Sequence, residues 1–328
     1  MVLLFCITRS VAKECNDVKL MKMKKAVYFV VSIFVLALIG GCASVPYEYG
    51  AGLEGSDVLK LAPDESQVER GNPHGFLDWI GHNIVSLPSK IILLNWSVAN
   101  HDISTETEEI LKQYLADNDL RNVKVRLNDY APGDEWRRLA RNRSVGGIWR
   151  FTLGAISVSF YTILPDRFFA GLIGGDSYNP YTNTIHLYSD HPAIALHEAG
   201  HAKDFAGEDN KGLYAAMRLL PVVPLIQESR ATSDALGYLA DKNMVKEEEK
   251  AYEILYPAFG TYIPGGIFGV AYDYIPIDDG VMLITNVIGI VTGHIVGRAK
   301  ADEVEQKEAA GTMAMSRNRD LHLSTYNR

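Results

Sequence analysis

The stretch TIHLYSDHPAIALHEAGH, residues 184–201, places an alternating segment directly before a helical one. In Thr184–Tyr188 polar and apolar side chains alternate, which predicts a β-strand. The helix that follows is predicted from Pro192 to about Ala206, with Ser189 or Asp190 as its cap and the proline in its first turn. A strand leading into this helix therefore forms the centre of the predicted fold.

Two histidines of this helix, His197 and His201, are four residues apart. They lie on one helix face, one turn apart, so their imidazoles can converge on one metal ion. Glu198 points beside that metal, where it can take a proton from a metal-bound water. Zinc lowers the pKa of such a water to about 7, and a catalytic zinc site has three protein ligands and one open position. A third ligand must therefore come from elsewhere in the chain.

A second helix, predicted from about Pro224 to Asp241, offers Glu228 near its start, with Ala231 and Ala235 on the same face. This arrangement resembles the gluzincin zinc peptidases. In that family a Glu on a second helix, followed by a small residue one turn on, completes the HExxH site. The resemblance covers about residues 100–241.

The resemblance implies Zn²⁺ bound by His197, His201 and Glu228, with Glu198 as general base in peptide-bond hydrolysis. In the family an Asp often follows four residues after the ligand Glu and braces a zinc-binding His. This chain has Thr232 at that position.

Two other carboxylates remain alternatives for the third ligand, because zinc accepts either kind of carboxylate. Asp234 is the first alternative, since residues 232–238 are similar to the aspzincin pattern Thr-x-Asp-x-x-Tyr-Gly with the last two residues exchanged. Asp204 is the second, seven residues from His197 and on the same face. The metzincin pattern is excluded. It requires Gly at position 204 and His or Asp at position 207, whereas this chain has Asp204 and Gly207.

In gluzincin-like folds the strand before the active-site helix borders the cleft and pairs with an extended peptide. Thr184, His186 and Tyr188 are therefore predicted as candidate substrate-binding residues, with a plain edge strand as the alternative. His186 and His191 are expected to be structural rather than ligands.

The N-terminal region contains Lys22, Lys24 and Lys25, an apolar run over 26–39, and then Gly-Gly-Cys42. A basic segment, a short apolar core and small residues at a cut site are typical of a secretory signal. The last residues resemble the lipobox of bacterial lipoproteins, whose Cys is lipidated and becomes the mature N-terminus. Residues 1–41 are thus predicted as a signal peptide, with 1–20 upstream of a true start at Met21 or Met23. An uncleaved anchor with a chance Cys is the alternative.

By resemblance to Gram-negative lipoproteins, in which Asp after the Cys causes retention in the inner membrane, Ala43 suggests the outer membrane facing the periplasm, if the host is Gram-negative. Membrane attachment is expected through the Cys42 lipid. Nucleic acid is not expected as a partner, because the net charge is −8 and phosphate binding needs a positive field.

The predicted fold class is α+β: a small mixed sheet, the HExxH helix, a second ligand-bearing helix and a Gly-rich apolar helical hairpin. The predicted segments are a tether at 42–75, a zincin-like metallohydrolase domain at 76–254, the hairpin at 255–298 and a frayed polar tail at 299–328. The hairpin is expected to pack on the domain rather than enter a membrane, because Val281–Gly297 is short for a membrane span.

The sequence thus predicts a zinc metallopeptidase of the bacterial cell envelope, acting on a peptide or protein substrate. One alternative is a non-catalytic envelope scaffold with a structural or absent metal. Another is a zinc amidase or cell-wall peptide hydrolase. The intact Glu198 favours an enzyme, because a structural metal site has no need of a general base.

Overall fold

The computed structural model describes residues 46–50, 59–72, 74–169, 175–271 and 279–326. Cys42, the predicted signal peptide and the first part of the predicted tether lie outside these residues. The described tether residues belong to the fold: Tyr47 is buried in the core, and Val68–Arg70 forms a strand. The tether boundary predicted at residue 75 is therefore too late.

The fold is α+β, mostly helical with a small mixed sheet. The strands are Val68–Arg70 (β1), Lys124–Leu127 (β2), Ser177–Asn179 (β3) and Thr184–Leu187 (β4). The shorter helices are Gly75–Ile80 (α1), Leu87–Leu93 (α2), Thr105–Asp117 (α3), Pro132–Arg141 (α4), Gly147–Trp149 (α5), Ala155–Ile163 (α6) and Asp166–Phe169 (α7). The later helices are Pro192–Ala206 (α8), Lys211–Ala216 (α9), Val223–Asp241 (α10), Val245–Ala271 (α11) and Asp279–Tyr326 (α12).

The sheet has the strand order β1-β2-β4-β3, in which β3 alone of these four runs antiparallel to its neighbour. One face of the two central strands is apolar: Val125, Leu127, Ile185 and Leu187 are fully buried in the main core with residues of α3 and α8. The predicted shared face of Ile185 and Leu187 is therefore correct, and it sets which face of the sheet meets α8.

The polar face of the sheet is also buried, against α4. Arg126 lies there and donates from Nε to Glu135 Oε1 at 3.0 Å and from Nη1 to Asp129 at 2.7 Å. Burial alone would raise the pKa of Glu135, but the neighbouring His186 and Arg126 outweigh it and lower the pKa to about 2. The alternating pattern thus divides an apolar core from an internal ionic layer, rather than a core from solvent.

The cap predicted for α8 is wrong. His191 precedes the helix and makes no side-chain capping bond. Asp190 instead accepts hydrogen bonds from the backbone N–H of Ser104, at 2.9 Å, and from the Thr107 hydroxyl, at 2.6 Å. The Asp190 carboxylate therefore fixes the start of α3, a long-range contact that local capping rules do not reveal.

Helices α11 and α12 include the segment predicted as a hairpin and pack against each other, and glycines let their backbones touch. A Cβ atom on Gly289 would lie 2.4 Å from the Gly260 carbonyl oxygen, and one on Gly297 would lie 2.4 Å from that of Tyr252. The hairpin packs on the domain, since α11 contacts α8 and α10. The predicted frayed tail is wrong, because α12 continues as a helix to Tyr326.

We expect Gly293→Ala to destabilise the protein by about 1–3 kcal/mol, as overpacking does. The new Cβ would lie 2.5 Å from the Pro257 Cα and 2.6 Å from the Tyr256 carbonyl oxygen, and neither backbone atom can rotate away. Gly265→Ala is the matched control, because its Cβ meets no atom within 4 Å. Chaotrope unfolding of both variants measures the difference. Equal stabilities would contradict the close helix packing.

The outer face of α12 is different from its packed face. By length and composition, Met282–Ala310 is the one candidate membrane span in the described part of the chain, and most of its apolar window is not buried. Leu283, Val287, Val291 and Ile295, four residues apart, are each at least half exposed. The hairpin is therefore a core element on one face and an apolar surface on the other.

Candidate metal centre

Small residues bring the two predicted ligand-bearing helices into contact. A Cβ atom on Gly200 of α8 would lie 3.0 Å from the Ala231 carbonyl oxygen of α10 and 3.1 Å from its Cα. This approach sets the HExxH face of α8 directly against the Glu228 face of α10. Gly200 and Ala231 are thus the residues at which the two helices meet.

The predicted ligands His197, His201 and Glu228 lie together. Nε2 of His197 is 3.1 Å from Glu228 Oε2, and Nε2 of His201 is 3.4 Å from Glu228 Oε1. The three ligand atoms lie within 4.8 Å of one another, so the group could hold a metal ion. His201 and Glu228 are buried and His197 is half-buried.

Burial and neighbouring charges together shift the pKa values of the two glutamates of this site. Burial alone would raise the pKa of Glu228, but His201 and His197 outweigh it and hold that pKa well below its usual range. Burial raises the pKa of Glu198, and the negative charges of Glu228 and Asp176 add to the rise. The two glutamates therefore have opposite tendencies: Glu228 favours the anion, and Glu198 holds a proton more readily.

Thr232 occupies the position at which the gluzincin family often has an Asp. Its hydroxyl oxygen lies 3.3 Å from His197 Nδ1. A proton on Nδ1 can be donated to this hydroxyl, which leaves the Nε2 lone pair free to bind a metal. Thr232 thus orients His197, whereas His201 Nδ1 is buried without a hydrogen-bond partner among the described residues.

Arg218 is a member of the site that the sequence analysis missed. It lies in the short 3₁₀ turn Met217–Leu219, and its Nη2 donates to Glu228 Oε1 at 2.7 Å. The guanidinium remains partly exposed, so it stands between the buried carboxylate and solvent. Nothing in the local pattern around Arg218 marks it, because the contact depends on how the turn folds back onto α10.

The metal-binding group lies in a cleft that several helices line. Ser89 and Leu93 come from α2, and Phe259 and Tyr262 come from α11. His197, Glu198, Glu228 and Thr232 line the same cleft. The negative charge of Glu228, then burial and the charge of Glu198, raise the pKa of Tyr262, so its phenol remains a hydrogen-bond donor.

The two alternative ligands lie elsewhere. Asp234 accepts from Lys203 Nζ at 2.6 Å, and from the hydroxyls of Tyr47 and Tyr114. Asp204 accepts from Arg230 Nη1 at 3.0 Å and from the Tyr214 hydroxyl. Neither belongs to the metal-binding group found among the described residues, so both alternatives are wrong on geometry.

The predicted substrate-binding strand is also wrong. Strand β4 lies between β2 and β3, so both of its backbone edges are already paired. Thr184 accepts from Arg138 Nε at 3.2 Å, His186 lies 3.7 Å from Glu135, and Tyr188 is fully buried. The edge strand on this side is β3, directly after Asp176, which lines the cleft.

The histidines expected to be structural lie outside the metal-binding group. His186 packs in the ionic layer beneath the sheet, and His191 is buried ahead of α8. Burial lowers the pKa of His191 to about 4, so this imidazole is neutral near pH 7.

Asp176 joins the sheet to the cleft. Its Oδ1 accepts from the backbone N–H groups of Tyr188 at 2.7 Å and Ser189 at 2.9 Å. These bonds fix the turn between β4 and α8, and so the direction in which α8 leaves the sheet. Burial raises the pKa of Asp176, and its charge is one of those that raise the pKa of Glu198.

Comparisons with protein-family models, with curated proteins and with solved structures gave no match. The arguments on function therefore depend on the geometry of this chain.

Proposed function

We propose that this chain is a zinc-dependent metallopeptidase held at the bacterial cell envelope. The observation that carries the proposal is the meeting of His197 Nε2, His201 Nε2 and the Glu228 carboxylate, with Glu198 beside them in one cleft. Two imidazoles and one carboxylate form a ligand set used by catalytic zinc sites in hydrolases.

The number of donors supports a catalytic rather than a structural metal. Structural zinc sites are closed by four protein ligands, whereas catalytic sites use three and keep one position open. The group found among the described residues has three donors, and two of them, His197 and Glu228, line a cleft. Zinc bound there would polarise a substrate carbonyl and lower the pKa of water to about 7.

Glu198 is suited to move the proton. It lines the cleft but is not one of the three ligand donors. The raised pKa of its carboxyl lets it accept the proton of the attacking water and return it to the leaving amine. Arg218 and Thr232 hold the ligands in place, through Glu228 and His197 respectively.

The location of the protein is the second part of the proposal. Lipidation of Cys42 would fix the chain to a membrane four residues before Pro46, where the described fold begins. The mass of the mature N-terminal peptide tests this: an unmodified Cys42, or a mature chain starting elsewhere, would contradict it.

Metal removal tests the activity. The full chain, purified in detergent, is expected to cleave an unfolded protein substrate, to lose that activity to a zinc chelator, and to regain it when zinc is restored. Cleavage that the chelator leaves unchanged would refute a zinc mechanism. Zinc-dependent hydrolysis of cell-wall peptide without cleavage of protein would favour the amidase alternative.

A further inference from the structure

Exposed apolar side chains lie on or next to two of the helices that line the metal cleft. Ile91 and Leu94 lie on α2 and directly after it, the helix whose Ser89 and Leu93 line the cleft. Leu219, Leu220, Val222 and Ile226 lie around the start of α10, next to the Arg218 that contacts Glu228. We call these six residues the apolar rim.

The outer face of α12 extends this surface. His294 Nε2 lies 2.8 Å from the Ile92 carbonyl oxygen, so α12 sits directly beside α2. Ile295, the next residue, is 65% exposed, as is Leu94 on the rim. The exposed apolar face of α12 and the α2 side of the rim therefore belong to one side of the molecule.

The exposed apolar residues of the rim are grouped rather than scattered. Leu219 is 75% exposed, and each other rim residue is 45% exposed or more. Single exposed leucines are common, but groups of them around a cleft mark a surface that another apolar phase or partner covers. The rim residues lie on or next to α2 and α10, which also carry residues that line the cleft, and this links the surface to the site.

Three occupants are conceivable: a lipid bilayer, a second copy of the chain, and the apolar run 26–39. The chain outside the described residues favours the bilayer. That run follows three lysines and ends just before Cys42, and only three residues separate Cys42 from Pro46, where the described fold begins. A chain attached to a membrane through either element keeps its fold at the bilayer surface.

The residues that border the surface match a membrane interface. Trp96, two residues after Leu94, is 60% exposed, and exposed Arg298 ends the apolar face of α12. Tryptophan and arginine are typical of the boundary between acyl chains and water, where an aromatic ring or an aliphatic stem is buried and the polar end stays wet.

We infer that the apolar rim docks into the interfacial layer of a lipid bilayer, so that the metal cleft opens at the membrane surface. A polypeptide substrate would then be one that is bound to or embedded in the membrane. That consequence rests on the proposed peptidase function, and the choice of a bilayer rests on the proposed membrane attachment but not on the metal or on hydrolysis.

Photocrosslinking in membranes tests the inference. A photoreactive phenylalanine analogue replaces Leu94 or Leu219 in the full chain, reconstituted in vesicles of phosphatidylethanolamine and phosphatidylglycerol. The control position is Arg121, 68% exposed in the turn between α3 and β2. We expect about tenfold more lipid adduct at the two rim positions, because an interfacial face reaches the acyl boundary while the turn at Arg121 stays in water.

The mass of each adduct separates the occupants. A product of two chains, or an adduct with residues 26–39 of the same chain, would overturn the bilayer assignment in favour of that occupant. Lipid adduct no greater than at Arg121 would overturn it as well. Using two rim positions keeps the test valid if one substitution disturbs folding. Adduct formation needs neither metal nor hydrolysis, so a failure here is distinguishable from a failure of the proposed function.

Discussion

Glu198→Gln is expected to keep the metal and to lower the rate of peptide-bond hydrolysis by about 10²–10⁴-fold, the usual contribution of a general base. The side chain lies in the cleft beside the ligand group but supplies none of its three donors. The amide has nearly the same shape as the carboxyl, yet it cannot accept a proton from water. Initial rates at saturating zinc, together with the metal content of the same samples, measure both effects.

The matched control is Glu253→Gln, an exposed glutamate on α11, the helix that also lines the cleft. Its rate is expected to equal that of the unmodified protein. A fully active Glu198→Gln variant would show that the mechanism is wrong. If the Glu198→Gln variant also loses its metal, Glu198 is a metal ligand rather than the general base.

Glu228→Ala is expected to lower zinc affinity by more than the ~10–100-fold that loss of an outer-shell partner typically costs. Glu228 is the one carboxylate of the group, and both imidazole Nε2 atoms face its two oxygens. Competition against a fluorescent zinc chelator measures the dissociation constant.

Asp234→Ala is the comparison that separates the two ligand assignments. Because Asp234 is bound to Lys203 and to two tyrosines, its loss is expected to lower stability and leave zinc affinity unchanged. If Asp234→Ala weakens zinc binding and Glu228→Ala does not, the third ligand is Asp234 and the site is aspzincin-like.

Elements governed by local pattern were predictable from the sequence. The extents of α8 and α10 match the predicted helices within one residue, because helical periodicity, proline positions and the final Gly207 are local signals. Glu228 was predicted from the resemblance to the gluzincins, and its carboxylate lies beside His197 and His201.

Elements that depend on distant contacts were not predictable. Strands β1 and β3 have three residues each, so their alternation is too short to be recognised in the sequence. Because β3 was not predicted, β4 was expected to have an open edge with which a peptide could pair. The burial of Thr184 and His186 depends on Arg138 and Glu135 of α4, which the strand pattern does not reveal.

In the polar tail the sequence analysis missed a helix that local charge pairs support. Its composition suggested fraying, yet α12 continues past Gly297, with pairs such as Lys300 and Glu303 at 2.9 Å along its surface. Opposite charges three or four residues apart support a helix whose side chains stay in water.

The central claim is that His197 and His201 bind a catalytic zinc ion, and metal content tests it most directly. The full chain, purified in detergent and dialysed against trace zinc, is expected to contain about one zinc per chain, the content of a mononuclear catalytic site. His197→Ala and His201→Ala are expected to contain almost none, whereas His74→Ala, at an exposed position, is expected to match the unmodified protein. A zinc-free unmodified protein, or equal zinc in all four proteins, would contradict the account.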